Sequence, residues 1–176
     1  MPSIHPSELP PGALLSKYQK GGAYADCYAT EIARHVSQTE YVQAFYTTPL
    51  FKLERLLLAW LLSKPSTDAQ AGQLASGMLD SFAAWSVEER REDQLLMCDF
   101  LGRTRSWLMV VAAQSGGAGG TRLYFGSAVV PSPGAKLGIR TPGLTFRLLL
   151  GFHKLYSRAL LAAVKSRLMR QRSAQG

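Results

Sequence analysis

The hydrophobic pattern of the chain changes character at Phe82. Ahead of it, residues 23–32 set Tyr24, Asp26, Tyr28 and Thr30 between Ala and Cys, the alternation of a short first strand. Two helices are predicted next. Ser37 or Thr39 caps the first, which carries Tyr41, Val42 and Phe45, and Thr48-Pro49 places a cap before a proline at the start of the apolar run 50–62. Lys64-Pro65-Ser66 ends that run, and the small polar stretch 66–80 predicts no element. From Phe82 onward, four strand-length runs follow at 82–89, 94–101, 104–113 and 121–130, separated by turn signals. Connections this short cannot cross over to make parallel pairs, so an antiparallel meander is expected.

Residues 131–143 hold three prolines and three glycines and read as a loop; Thr141-Pro142 or Thr145 then opens a long helix over about 146–170. At 100° per residue, Arg147, Lys154, Arg158, Lys165 and Arg172 fall within roughly 40° of one another. Leu149, Leu150, Phe152, Tyr156, Leu160, Leu161, Val164 and Leu168 occupy much of the remaining circumference. The helix is thus predicted to lay a broad apolar face on the sheet and turn a narrow basic stripe outward. Residues 1–22, with four prolines and the closing Gly21-Gly22, read as an extended arm, leaving 23–176 as a single domain.

Charge sharpens this division. Residues 1–99 carry 8 Lys and Arg against 12 Asp and Glu, whereas residues 100–176 carry 12 against none, so the net +8 belongs wholly to the later part. An acidic partner is one explanation: a phospholipid surface, nucleic acid, or the chain's own acidic half. Nucleic acid is the weakest of these, since no recognised module accompanies the basic residues. A chain of 176 residues that is 47% hydrophobic fits one domain with a sizeable core. The longest apolar run, thirteen residues over 50–62, is interrupted by Lys52, Glu54 and Arg55 and falls short of the ~18–20 residues that span a bilayer. Two cysteines, Cys27 and Cys98, stand in no CxxC spacing and read as free thiols; with no signal-peptide pattern at Met1–Pro6, a cytoplasmic protein is expected.

Strand, two helices, antiparallel strands and a long closing helix is an order that resembles the START-like superfamily, which includes lipid-transfer and polyketide-cyclase-like proteins. Tyr24-Ala25-Asp26-Cys27-Tyr28, the strand-turn-strand 82–99, Gly102-Arg103-Thr104-Arg105 and Gly151-Phe152-His153-Lys154-Leu155 carry the resemblance, which covers most of residues 23–170 and is nearest to a bacterial family of uncharacterised START-like domains. The resemblance implies an α+β helix-grip fold: a curved antiparallel sheet gripping a long C-terminal helix, with two shorter helices after the first strand and an apolar cavity between sheet and helix. About five strands are legible here, against seven in the fuller members of the superfamily, which leaves cavity or filled core as alternatives.

Trp85, Met97, Trp107, Met109, Tyr124 and Phe125 on the strands, facing Phe152, Tyr156 and Leu160 on the helix, are the candidate lining of a small-molecule pocket. As ordinary core they need no ligand, and strand faces stay open because both faces of 95–101 and 107–111 are apolar. Asp26, Asp99, Arg103 and Arg105 are candidate polar handles: a guanidinium fork suits a carboxylate or phosphate, whereas an exposed Asp–Arg pair across the hairpin would be worth under about 1 kcal/mol. No metal is expected, since His5, His35 and His153 stand apart from one another and from any ligand spacing. No cofactor motif appears either: the run Gly116-Gly117-Ala118-Gly119-Gly120 has no lysine and precedes a strand. Three functions remain. The first is binding of a small apolar or amphipathic molecule in the cavity; the second is peripheral docking of the stripe Arg147, Lys154, Arg158, Lys165 on anionic lipid or an acidic partner; the third is cyclase- or hydratase-type chemistry in the same cavity.

Overall fold

The computed structural model describes residues 3–62, 65–113, 119–130 and 144–173, and their side chains except at 57–59, 61–62, 144–153 and 171–173. In chain order the elements are β1 (His5–Pro6), α1 (Ser16–Lys20), β2 (Tyr24–Ile32), α2 (Gln38–Tyr46), α3 (Pro49–Leu62) and α4 (Asp68–Ala75). Then come β3 (Ser81–Phe82), β4 (Trp85–Arg91), β5 (Gln94–Asp99), β6 (Thr104–Ala112), β7 (Thr121–Val129) and α5 (Leu144–Ser173). The strands form one antiparallel sheet in the order β1-β2-β7-β6-β5-β4-β3. The meander from β3 to β7 is continuous, and β2 closes it by pairing along its whole length with β7. An α+β fold with an antiparallel sheet and a long C-terminal helix is therefore what the chain builds.

The predicted caps do their work. Ser37 Oγ accepts from Glu40 N–H at 3.1 Å to start α2, and Thr48 Oγ1 accepts from Phe51 N–H at 3.2 Å over Pro49 to start α3. The stretch left without an element contains α4, opened by a capping box in which Thr67 and Gln70 satisfy each other's backbone N–H groups. The sheet has seven strands rather than five, because β1 and β3 are two-residue edge pairings too short to show an alternation. At the tight turn after β5, Gly102 takes a φ of 69°, and Asp99 Oδ1 accepts from the N–H groups of Arg103 and Thr104 at 2.7 and 3.0 Å.

Apolar layers cover both faces of the sheet. On one face Tyr28, Ile32, Leu95, Met97, Leu108, Leu123 and Phe125 meet the helices through Tyr41, Phe45, Tyr46, Phe51, Leu74, Leu160, Leu161, Val164 and Leu168. On the other, Cys27, Ala29, Leu96, Trp107, Met109, Tyr124 and Ala128 lie under Ala13, Leu14 and Leu15. Residues 3–22 therefore do not trail as an extended arm: they pair at β1, turn through α1 and bury an apolar triplet on the sheet. Gln94 fixes them there, its Oε1 accepting from Leu14 N–H and Trp107 Nε1–H, each at 2.9 Å, while its Nε2 donates to Gly12 O at 3.2 Å. Glycine at 126 leaves room for this layer, since a Cβ there would stand 3.0 Å from Trp107 and 2.8 Å from Leu15.

Along α5, Leu160, Leu161, Val164 and Leu168 are buried, as the angular map requires; Tyr156, expected to be buried with them, is half-buried, and the side chains of Leu149 and Phe152 lie outside the described residues. Leu160→Ala is accordingly expected to cost roughly 2–5 kcal/mol as a core truncation. Urea denaturation measures it, and a loss below about 0.5 kcal/mol would contradict the assigned face. The two halves of opposite charge meet within the fold: Arg105 pairs with Glu88 and Arg122 with Glu31, each at 2.6 Å. Part of the positive charge is thus answered internally.

Candidate ligand-binding site

Between α3, α5 and the sheet lies a cavity of about 540 Å³. Its walls follow from local periodicity. Helix α3 contributes Leu50, Phe51, Leu53 and Glu54, and α2 contributes Phe45. Helix α5 contributes Tyr156, Ser157 and Leu160, one turn of the face that it lays on the sheet. The sheet contributes Trp85 from β4, Thr104 and Ser106 from β6, and Phe125 and Ser127 from β7. Strand alternation selects these: Ser106 faces Ser127 across β6–β7, and Ser127 faces Asp26 across β7–β2, so one row of polar side chains crosses the sheet under the helix.

Glu54 is the acidic group of this wall. It accepts a hydrogen bond from the hydroxyl of Tyr156. Burial pushes its carboxyl above the ordinary carboxylate value, and the Tyr156 bond offsets part of that rise. Tyr156 in turn is held far above the usual phenol value, by burial first and then by the Glu54 charge, so its hydroxyl stays a donor at neutral pH. Beside it, Ser157 Oγ is fully buried and has no hydrogen-bond partner. A carboxyl, a phenol and an unpaired hydroxyl thus belong to residues lining one largely apolar space, a set able to orient a polar group of a ligand.

The raised carboxyl has a sign that can be measured. Above the ordinary carboxylate value the unfolded chain releases the Glu54 proton more readily than the folded one, so this group lowers stability as pH rises through its raised value. Glu54→Gln keeps the shape and removes the charge. Its stability relative to the parent is expected to increase from acid to neutral pH, read as paired urea midpoints. A relative loss over that range would mean that the folded state favours the carboxylate.

Four of the expected lining residues stand here: Trp85, Phe125, Tyr156 and Leu160. Met97 is on the same face but fully buried in the core beyond the cavity. Trp107, Met109 and Tyr124 do not line it; they point to the opposite face, under Leu14 and Leu15, because the strand register puts Ser106 and Phe125 on the helix side. The Phe152 side chain lies outside the described residues.

The polar handles also separate. Asp99 and Arg103 belong to the turn, the carboxylate being taken up by backbone N–H groups instead of a guanidinium. Arg105 borders the cavity, but its side chain leaves the far face of the sheet, where it lies 4.8 Å from the Tyr18 ring and pairs with Glu88. Burial acts to raise the Glu88 carboxyl, and hydrogen bonds from Lys17, Tyr18 and Arg105 overcome it and hold the group below its usual value. Asp26 accepts from Ser127 Oγ at 2.6 Å and lies in a second cleft, of about 590 Å³, with Tyr24, Tyr28, Lys154 and Arg158. Of the basic stripe, Lys154 and Arg158 are exposed, and the Arg147 side chain lies outside the described residues. Lys165 corrects the expectation: it is half-buried, donating to Thr30 Oγ1 at 3.0 Å, because α5 leans that flank against β2.

Among the described residues no three His, Cys, Asp or Glu side chains are grouped as metal ligands. Cys27 is a buried free thiol that burial pushes up to about 12, and this keeps it protonated and unreactive at neutral pH. No helix among the described residues is long and apolar enough to cross a membrane. Neither the protein-family models nor the curated proteins contain a match to this chain.

Glu54 and Ser157 went unmarked in the sequence. Glu54 had a signal, a carboxylate inside an apolar helical run, but it reads equally as a solvated interruption. Ser157 had none, since a serine in a helix ordinarily bonds to the preceding turn.

Proposed function

We propose that the chain is a START-like helix-grip domain whose cavity binds a small apolar or amphipathic molecule. The observation that carries this reading is the space itself. About 540 Å³ of largely apolar volume remains between sheet and helix, in the size range of small-ligand sites. The polar side chains of the lining are Glu54, Tyr156 and Ser157 on the helices and hydroxyls on the sheet, set in a mostly apolar wall, which fits an apolar body carrying a polar group. A native mass spectrum of freshly purified protein tests the reading. A co-purified small molecule that is lost in Leu160→Trp, where the new ring fills the cavity, is the expected result. A spectrum that stays free of ligand, together with no uptake of the neutral dye Nile red, would refute it.

Peripheral docking on an anionic surface is the second reading, supported by the exposed Lys154 and Arg158 and by Leu155, which is 67% exposed between them. Each basic residue near such a membrane contributes about 1 kcal/mol, screened by salt. Under this reading Lys154→Glu with Arg158→Glu abolishes sedimentation with phosphatidylserine vesicles at low salt and leaves the melting temperature nearly unchanged. Equal sedimentation of parent and variant would make the stripe a plain solvated face.

A further inference from the structure

We infer that the polar end of the ligand is a neutral hydroxyl, an alcohol or a phenol on an apolar body, and that the cavity rejects the carboxylate of the same body. This rests on the reading of the cavity as a ligand site and adds the chemistry of its recognition.

The first observation is Ser157. Its Oγ is buried in the cavity wall and has no partner, although a buried hydroxyl left unmade is costly and rare. A helical serine normally relieves this by donating to the carbonyl four residues back, and Ser157 does not. The second is Glu54 on the facing helix. Its carboxylate offers about four acceptor positions, of which the Tyr156 hydroxyl occupies one. A ligand hydroxyl both donates and accepts, so a single group can give its proton to Glu54 and receive one from Ser157.

The third observation concerns charge. The other polar side chains turned into the cavity, Thr104, Ser106 and Ser127, are hydroxyls. Arg105, the cation at its border, spends its guanidinium on Glu88 and on Gly102 O, the latter at 2.7 Å, beyond the opposite face of the sheet. Among the described residues, then, a ligand carboxylate would enter beside Glu54 with no counter-ion, and burying such a charge unpaired is unfavourable. An ammonium would suit Glu54 but would leave the Ser157 proton without an acceptor while losing its own hydration.

Three probes with one chain test this: 1-decanol, decanoate and decylamine, titrated calorimetrically at neutral pH, with Nile red as a reporter of cavity occupancy. Decanol is expected to bind about tenfold tighter than decanoate, which forfeits the bond to the Glu54 carboxylate and meets its charge, and tighter than decylamine, whose ammonium loses its hydration on entry. Ser157→Ala should weaken decanol about fivefold and leave Nile red unaffected. Glu54→Gln should narrow the gap between decanoate and decanol to about threefold, by removing the repelling charge. Decanoate or decylamine binding as tightly as decanol to the parent protein would overturn the inference, as would unchanged decanol affinity in Ser157→Ala. In those cases Nile red still binds and the cavity reading stands. No binding of the dye or of any probe would overturn both.

Discussion

Removal of residues 3–22 is expected to unfold the protein rather than to free a tail. Ala13, Leu14 and Leu15 are at most 5% exposed, and they close the face of the sheet formed by Leu96, Trp107, Met109 and Tyr124. Two buried leucines alone contribute about 3–6 kcal/mol at 1.5–3 kcal/mol each, a large share of the ~5–15 kcal/mol that holds a domain together. The deletion also strips Gln94 of the Leu14 N–H and the Gly12 carbonyl, two of the bonds that fix its amide. Urea denaturation of a chain beginning at Ala23, compared with the full chain, is the measurement. An unchanged midpoint would show that the segment is an accessory, as its prolines and glycines first imply.

Trp107→Ala should cost about 3–5 kcal/mol, the range for removing a large aromatic from a closed core. Trp107 is fully buried, stacks at a tilt 6.2 Å from the Tyr124 ring, and donates its indole N–H to Gln94. Trp107→Phe retains much of the packing and loses that bond, so a smaller cost of about 1–2 kcal/mol is expected. If the two substitutions proved equally costly, the hydrogen bond rather than the ring would be holding the layer. Because the tryptophan and the N-terminal segment share Gln94, their effects should not add. The truncated chain should feel the loss of the indole less than the full chain does.

The last three strands of the meander could be read almost to the residue, because each starts from a distinct turn: Glu92-Asp93, Gly102, and the glycines before Thr121. The run 82–89 could not, since a turn at Ala83-Ala84, with Ala83 at a φ of 52°, breaks it into β3 and a β4 that continues to Arg91. Helix caps were equally plain at Ser37 and Thr48-Pro49. What could not be read was the direction of each side chain. Leu95 and Leu108 are as apolar as Leu96 and Trp107, yet they face opposite layers. Such a strand carries a different message from an alternating one, namely that both of its faces are covered. With that inference the proline-rich start of the chain becomes the missing second cover, and Trp107, Met109 and Tyr124 leave the pocket. Of the candidate site, helix periodicity fixed Tyr156 and Leu160, whereas Trp85 and Phe125 were named without a strand face. The site's chemistry came from tertiary approach: Glu54 and Tyr156 are 102 residues apart, and no spacing rule connects them.

The pairing of β2 with β7 also governs the order in which the molecule can be assembled. A ribosome delivers Tyr24 long before Val129, yet those two residues are partners in the finished sheet. The contacts that seat the final helix reach further still, from Arg34 to the Leu168 carbonyl and from Thr30 to Lys165. The hairpins from β4 to β7 are local and can close as soon as they emerge, whereas the first long strand must wait for nearly the whole chain. During synthesis its edge and the apolar triplet at Ala13–Leu15 stand uncovered together, which makes the opening of this chain the stretch that most needs shelter from other nascent proteins.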